Sequence, residues 1–147
     1  MNQCFQKEKW NVDVTMLGSR MHYAVPSIFV RSGILCRFYT DIYLGNKRWV
    51  KRLFKILKMN HWSPTLLRLY GRTADDIPPE KVVSFDLFGI WYWWKSLGIH
   101  SSRDMIGLYA RANKTFGNNV IRHGLGGANA VYGFNGASLE IFQFAKQ

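Results

Sequence analysis

The chain has 147 residues, 48% hydrophobic and 20% charged. That is enough apolar material for one cored domain, and it excludes an intrinsically disordered chain, which cannot bury enough surface to offset the entropy of ordering. The formal charge of +11, from 20 Lys+Arg against 9 Asp+Glu, sets up a field that attracts nucleic acid, anionic lipid or phosphorylated substrates without choosing among them.

Cys4 and Cys36 lie far apart with no metal-ligand spacing, so neither a disulfide framework nor a zinc site is indicated, and no metal or cofactor is called for. Residues 1–8 lack the apolar core of a secretory signal. The most apolar stretch, residues 82–99, is broken by Asp86 and Lys95 and is not read as a membrane span. The expected location is cytoplasmic, with a peripheral place on the inner membrane face as the alternative.

Residues 12–17 read as a first strand that stops at Gly18-Ser19-Arg20. A helix is expected over residues 26–32, with Pro26 in its first turn and Gly33 after its end. Residues 34–44, rich in Ile, Leu, Phe and Tyr, predict a second strand that carries Thr40-Asp41 and stops at Gly45-Asn46. Over residues 47–58, Trp49, Val50, Leu53, Phe54 and Leu57 recur at helical spacing. Lys47, Arg48, Lys51, Arg52, Lys55 and Lys58 fill the other face, which predicts an amphipathic helix.

A connector over residues 64–70 leads to the turn Asp75-Asp76-Ile77-Pro78-Pro79, and residues 81–86 read as a third strand. Residues 87–97 predict a helix stopped by Gly98, and Ser101 or Ser102 is a cap for the next, which runs through Met105, Leu108 and Tyr109. Gly124-Leu125-Gly126-Gly127 precedes a fourth strand over residues 129–134, and a last helix begins near Ala137 or Ser138. Its stripe of Leu139, Ile141, Phe142 and Ala145 runs to Gln147 with no cap or stop, which gives the expectation that the chain is part of a larger fold. The alternation predicts an α/β, Rossmann-like parallel sheet with flanking helices, a class that binds ligands at the carboxyl ends of its strands.

Gly18-Ser19-Arg20-Met21-His22 follows a strand and precedes a helix, where backbone N–H groups approach a phosphate or sugar. Arg20 adds a phosphate partner and His22 a group that exchanges protons; the alternative is a plain chain reversal. The glycines at 124–127 precede a strand instead of following one, so they read as a connector, not a phosphate loop. Thr40-Asp41 and Asp86, at predicted strand ends, fit ligand contact or capping equally. The basic face of residues 47–58 fits either an anionic membrane or a solvated helix packed on its own sheet. Trp91-Tyr92-Trp93-Trp94 reads as a core cluster, an interfacial anchor or an acceptor wall, with core packing expected for at least half of these rings.

Three segments occur in a familiar order: Leu17-Gly18-Ser19-Arg20-Met21-His22-Tyr23; Gly33-Ile34-Leu35 with Phe38-Tyr39-Thr40-Asp41; and Val131-Tyr132-Gly133-Phe134-Asn135-Gly136-Ala137-Ser138-Leu139-Glu140. Together they resemble the amino-terminal domain of family 4 retaining glycosyltransferases. The resemblance implies the acceptor side of a two-domain GT-B fold, with a nucleotide-sugar donor gripped by a second domain and a sugar or lipid-linked acceptor held by this one. It places Gly18 and Ser19 at the donor phosphate or transferred sugar, and brings Arg20, His22, Tyr132 and Asn135 to the cleft. Many members carry histidine where this chain has Tyr132. The donor-binding half has no counterpart among these residues, so the chain alone is expected to be inactive. The second class of function open to the sequence is a basic module that contacts anionic membrane or nucleic acid through residues 47–58.

Overall fold

The computed structural model describes residues 10–45, 47, 50, 52, 68–134 and 136–146. Four parallel strands form one sheet: β1 (Val12–Met16), β2 (Leu35–Thr40), β3 (Val82–Ser84) and β4 (Ala130–Gly133), in the order β3-β2-β1-β4. Helices among the described residues include α1 (Ala24–Arg31), α2 (Asp86–Leu97), α3 (Ser102–His123) and α4 (Leu139–Ala145). The α/β, Rossmann-like arrangement read from the sequence is therefore present.

Every residue of β1 is buried, as an interior strand with layers on both sides requires. Because successive side chains point to opposite faces, Val14 and Met16 join Tyr23, Leu35, Phe38, Tyr43 and Ile77 in one core, against which Phe29 and Val30 of α1 pack. On the other face Leu17 and Tyr39 join Ala112, Phe116 and Val120 of α3 and Ala137 and Ile141 at α4. The α3 residues recur at spacings of four, a helical stripe that faces the sheet. Burying a side chain such as Phe38 or Phe116, each fully enclosed, stabilises the fold by about 1.5–3 kcal/mol.

Several elements are shorter or longer than the sequence predicts. The second strand ends at Thr40, because the backbone of residues 41–44 leaves the sheet while its side chains stay buried. Strand β3 keeps only three residues, paired to Phe38, Tyr39 and Thr40. Helix α1 begins at Ala24, two residues before Pro26, and α4 ends at Ala145. Most of the amphipathic helix expected over residues 47–58, and of the connector over residues 64–70, lies outside the described residues.

The tryptophan segment departs further from expectation. Only Tyr92 packs into the core, stacked on Phe88 at 6.4 Å between centroids. Trp91, Trp93 and Trp94 are exposed together with Leu87, Ile90 and Leu97. The core face of α2 is narrow, since Gly89 is its one fully buried residue and fits closely over Ile42. Lys95 covers part of Trp94, its ammonium 5.3 Å from a ring centroid. Among the described residues no helix is long and apolar enough to cross a membrane.

The glycine connector at 124–127 lies at the amino-terminal end of the sheet. Asp13, fully buried, accepts the N–H of Gly126 at 2.9 Å and that of Arg37 at 3.0 Å, and Tyr39 donates its hydroxyl to the Gly124 carbonyl at 2.7 Å. The Cys36 thiol, whose pKa burial pushes up, lies 3.3 Å from the Gly126 carbonyl. The connector is thus a clasp at the end opposite the loops that follow the strands.

Candidate functional site

Strand β1 is flanked by β2 on one side and β4 on the other. The β1–β2 connection runs through α1 on one face, while α3, which leads into β4, packs on the other. Where connections diverge in this way a crevice opens outside the carboxyl ends of the two strands. The register pairs Thr15 with Gly133 and bonds the Phe134 N–H to the Thr15 carbonyl at 3.3 Å, so the turns after β1 and β4 leave side by side.

The turn after β1 opens at Gly18, whose φ of +85° has no clashing neighbour but suits glycine. Its N–H donates to Asp41 Oδ1 at 3.0 Å. Next, Met21, His22 and Tyr23 adopt φ of 50°, 47° and 62°. Three successive non-glycine residues in the left-handed region cost of order 1–2 kcal/mol each. Tyr23 offsets part of that cost: its ring is fully buried, edge-on to Phe38 at 5.4 Å and Tyr43 at 5.6 Å, with its hydroxyl 3.4 Å from the Ile42 carbonyl. Burial pushes the Tyr23 phenol far above its ordinary pKa. Met21 and His22 consequently project outward.

The two turns are joined over α3. The Arg20 guanidinium donates to the Tyr109 hydroxyl at 2.8 Å. Gly136, at φ +90°, lies so close to α3 that a β-carbon there would stand 3.1 Å from the Tyr109 hydroxyl and 2.9 Å from Asn113 Nδ2. Asn113 is 6% exposed and its Oδ1 has no hydrogen-bond partner. Leaving a buried amide oxygen unpaired costs about 1–3 kcal/mol. Ser138 closes the second turn by donating to the Phe134 carbonyl at 2.7 Å.

Beyond β2, Asp41 is held on three sides. Besides the Gly18 N–H, the Thr40 hydroxyl approaches Oδ1 at 3.2 Å and Arg72 Nη1 pairs with Oδ2 at 2.5 Å, with only 2% of the Asp41 side chain exposed. A charge this deep persists because it is both paired and hydrogen-bonded. Asp86 is likewise engaged, by Lys47 at 2.5 Å and by the Ser84 hydroxyl at 3.0 Å.

Of the residues the sequence singles out, Gly18, Ser19 and Arg20 lie in the turn beside β4, and His22 extends from the same turn. Tyr132, the third residue of β4, is paired opposite Val14, two residues before the end of β1. Its ring packs edge-on against Phe29 at 5.6 Å and Phe134 at 5.5 Å. Asn135 lies outside the described residues, as do Arg48, Lys51, Lys55 and Lys58 of the basic segment. Lys47 is spent on Asp86 and on the Tyr43 carbonyl, while Arg52 is exposed. The sequence alone does not mark Tyr109, Asn113 or Arg72 as site residues. Tyr109 and Asn113 are four residues apart, hence on one helix face, and Asn113 interrupts an otherwise apolar buried stripe, which is the signal that marks it. Among the described residues no group of three His, Cys, Asp or Glu is placed to hold a metal ion.

No protein-family model, curated protein or solved structure matches this chain.

Proposed function

We propose that the crevice between the ends of β1 and β4 is the acceptor side of a sugar-transfer site, and that the chain serves as the amino-terminal half of a GT-B glycosyltransferase. A second domain would bind the nucleotide-sugar donor and face this crevice. The observation that carries the reading is the cluster Arg20–Tyr109–Gly136 with the unpaired Asn113 Oδ1 beside it, at the point where the sheet's connections diverge. A hydroxyl-rich ligand supplies the donors that such a buried amide oxygen lacks, and Arg20 adds a donor for hydroxyl or phosphate oxygens.

Sugar transfer of this type asks the acceptor side for position more than for reactive groups. Aligning the attacking hydroxyl with the donor's anomeric carbon lowers the barrier entropically, and the leaving nucleotide diphosphate is stabilised by charges on the donor side. The Gly18 turn suits that task because its backbone is anchored through Asp41 and leaves room for close approach. This division of labour leaves the isolated chain without transfer activity.

The test is an NMR titration of the labelled chain with short oligosaccharides and alkyl glycosides in one arm and nucleotide sugars in the other. Carbohydrate-induced shifts are expected to gather at Gly18, Arg20, Tyr109, Asn113 and Gly136, with nucleotide sugars binding negligibly. Tight nucleotide-sugar binding, or carbohydrate shifts confined to other surfaces, would overturn the assignment.

A further inference from the structure

A cavity of about 410 Å³ opens between the end of β2 and helix α2, within the range of roughly 300–1,000 Å³ that small-molecule sites occupy. Its polar end is formed by Asp41, Arg72 and Arg68, and its walls include Ile90, Trp93 and Leu97. Two features define what fits. The polar end holds two guanidinium groups against one carboxylate, and that carboxylate is almost wholly withdrawn behind its bonds to Arg72, Gly18 and Thr40. The end therefore presents net positive charge. The walls continue onto the outer face of α2, where Ile90 (53%), Trp93 (41%) and Leu97 (54%) remain exposed, more apolar surface in one place than a helix face normally leaves bare.

We propose that this cavity binds one amphiphile at a time, a lipid phosphate: its anionic head at Arg68 and Arg72 and its alkyl chain along Ile90, Trp93 and Leu97. Arginine forks suit phosphate oxygens, and the indole of Trp93 joins an apolar wall to a polar mouth. The site adjoins the crevice through a single side chain, because Asp41 lines the cavity while accepting the Gly18 N–H. That adjacency makes the bound amphiphile the acceptor, a conclusion that rests on the sugar-transfer reading. The binding itself rests on the cavity alone.

The experiment follows the Trp93 indole N–H by NMR while the whole chain is titrated with decyl phosphate kept below micelle formation, with decyl maltoside, with butyl phosphate, with inorganic phosphate, and with phosphatidylglycerol vesicles. Decyl phosphate should shift this resonance saturably, and both the non-ionic and the short-chain analogues should bind at least roughly tenfold more weakly. Arg68→Gln should weaken decyl phosphate by about the same factor and leave decyl maltoside unchanged. Arg68 is exposed, so this variant keeps the fold; removing Arg72 instead would strand Asp41. Ile90→Asp, at another exposed position, should lower the affinity of both decyl compounds.

Equal affinity for decyl phosphate and decyl maltoside, no effect of Arg68→Gln, or a response to vesicles alone would each overturn the proposal; the last would mark a membrane-docking face. A response to inorganic phosphate equal to that of decyl phosphate would do the same and mark a simple anion site. Decyl phosphate binding at Trp93 without any carbohydrate response at Asn113 and Gly136 would keep this site and remove the sugar-transfer reading. The converse result would remove only this site.

Discussion

The Gly18 N–H donates to the Asp41 carboxylate at 3.0 Å, tying together two turns that are 23 positions apart in sequence. One buried charge thereby fixes the turn after β1, the end of β2 and, through Arg72, the segment that returns the chain toward β3. Replacing Asp41 with alanine strands Arg72 and leaves the Gly18 N–H without its acceptor. It should destabilise the protein by about 3–5 kcal/mol. Asp41→Asn retains an acceptor for Gly18 and should cost less. Urea denaturation of both variants beside Arg72→Ala checks this, and the double variant should cost less than the sum of the singles.

Left-handed strain at residues 21 and 22 has a measurable sign. Because Met21 and His22 sit at φ 50° and 47° and are exposed, glycine should relieve strain and return more than it loses to the entropy of the unfolded chain. Met21→Gly and His22→Gly should each raise stability by a few tenths to about 1 kcal/mol. A loss of stability on thermal or urea unfolding would show that these side chains make contacts that outweigh the strain.

Truncating a buried side chain is ordinarily expensive, and Phe116→Ala should cost about 3–5 kcal/mol. Asn113 is different, since its Oδ1 already bears an uncompensated desolvation cost. Asn113→Ala should fall within about 1 kcal/mol of the parent yet abolish the carbohydrate-induced shifts at Gly136. Comparable losses of stability for the two substitutions would mean that the amide is structural.

Alkaline pH should unfold the chain through its tyrosines. Burial raises the phenol pKa of Tyr23, Tyr39, Tyr43 and Tyr92 above the ordinary value of 10.0. The folded state therefore holds these protons more tightly than the unfolded state, so their contribution is complete below the ordinary phenol value and is lost as pH rises past it. Phenolate absorbance and circular dichroism followed together should show these four of the seven tyrosines ionising only as the fold is lost.

Asp76 works in the opposite direction. Burial raises its pKa, but hydrogen bonds from the Ser27 hydroxyl at 2.9 Å and Arg31 at 3.0 Å, with its own backbone N–H and the Arg31 charge, outweigh that and hold it below 3.8. Its stabilisation is present above the unfolded carboxyl value and fades as pH falls through the lower folded one. Ser27→Ala should cost about 1 kcal/mol at neutral pH and less in acid. Arg31 is largely exposed, so added salt should change little of this.

The layered sheet was readable because its signals are local: apolar runs of strand length, glycine stops after them, and the helical stripe of α3. Lengths were less readable. Ile42, Tyr43 and Leu44 look like strand in sequence, yet they are buried by packing outside the sheet, and periodicity cannot separate those two reasons for being apolar. The Gly18 turn was legible for the same local reason, as was the place of the 124–127 glycines. What completes the candidate site was not, because Tyr109 and Asn113 meet the two turns, and Arg72 meets Asp41, through tertiary contacts with residues far away in the chain. The exposed tryptophans show a further limit: composition says that a segment is apolar, and only the neighbouring elements decide whether anything covers it.

The adjacency of β1 and β4 bears on the order in which the molecule acquires its crevice. Asn11 bonds to Asn129 across 118 positions, so the loop that must close is most of the polypeptide, and pairings of such high contact order form late and slowly. On a ribosome, which releases amino-terminal residues first, β1, β2 and β3 can assemble while α3 is still being made. The pairing of β1 with β4 then waits until residue 134 has cleared the exit tunnel, well after the first three strands are free to assemble.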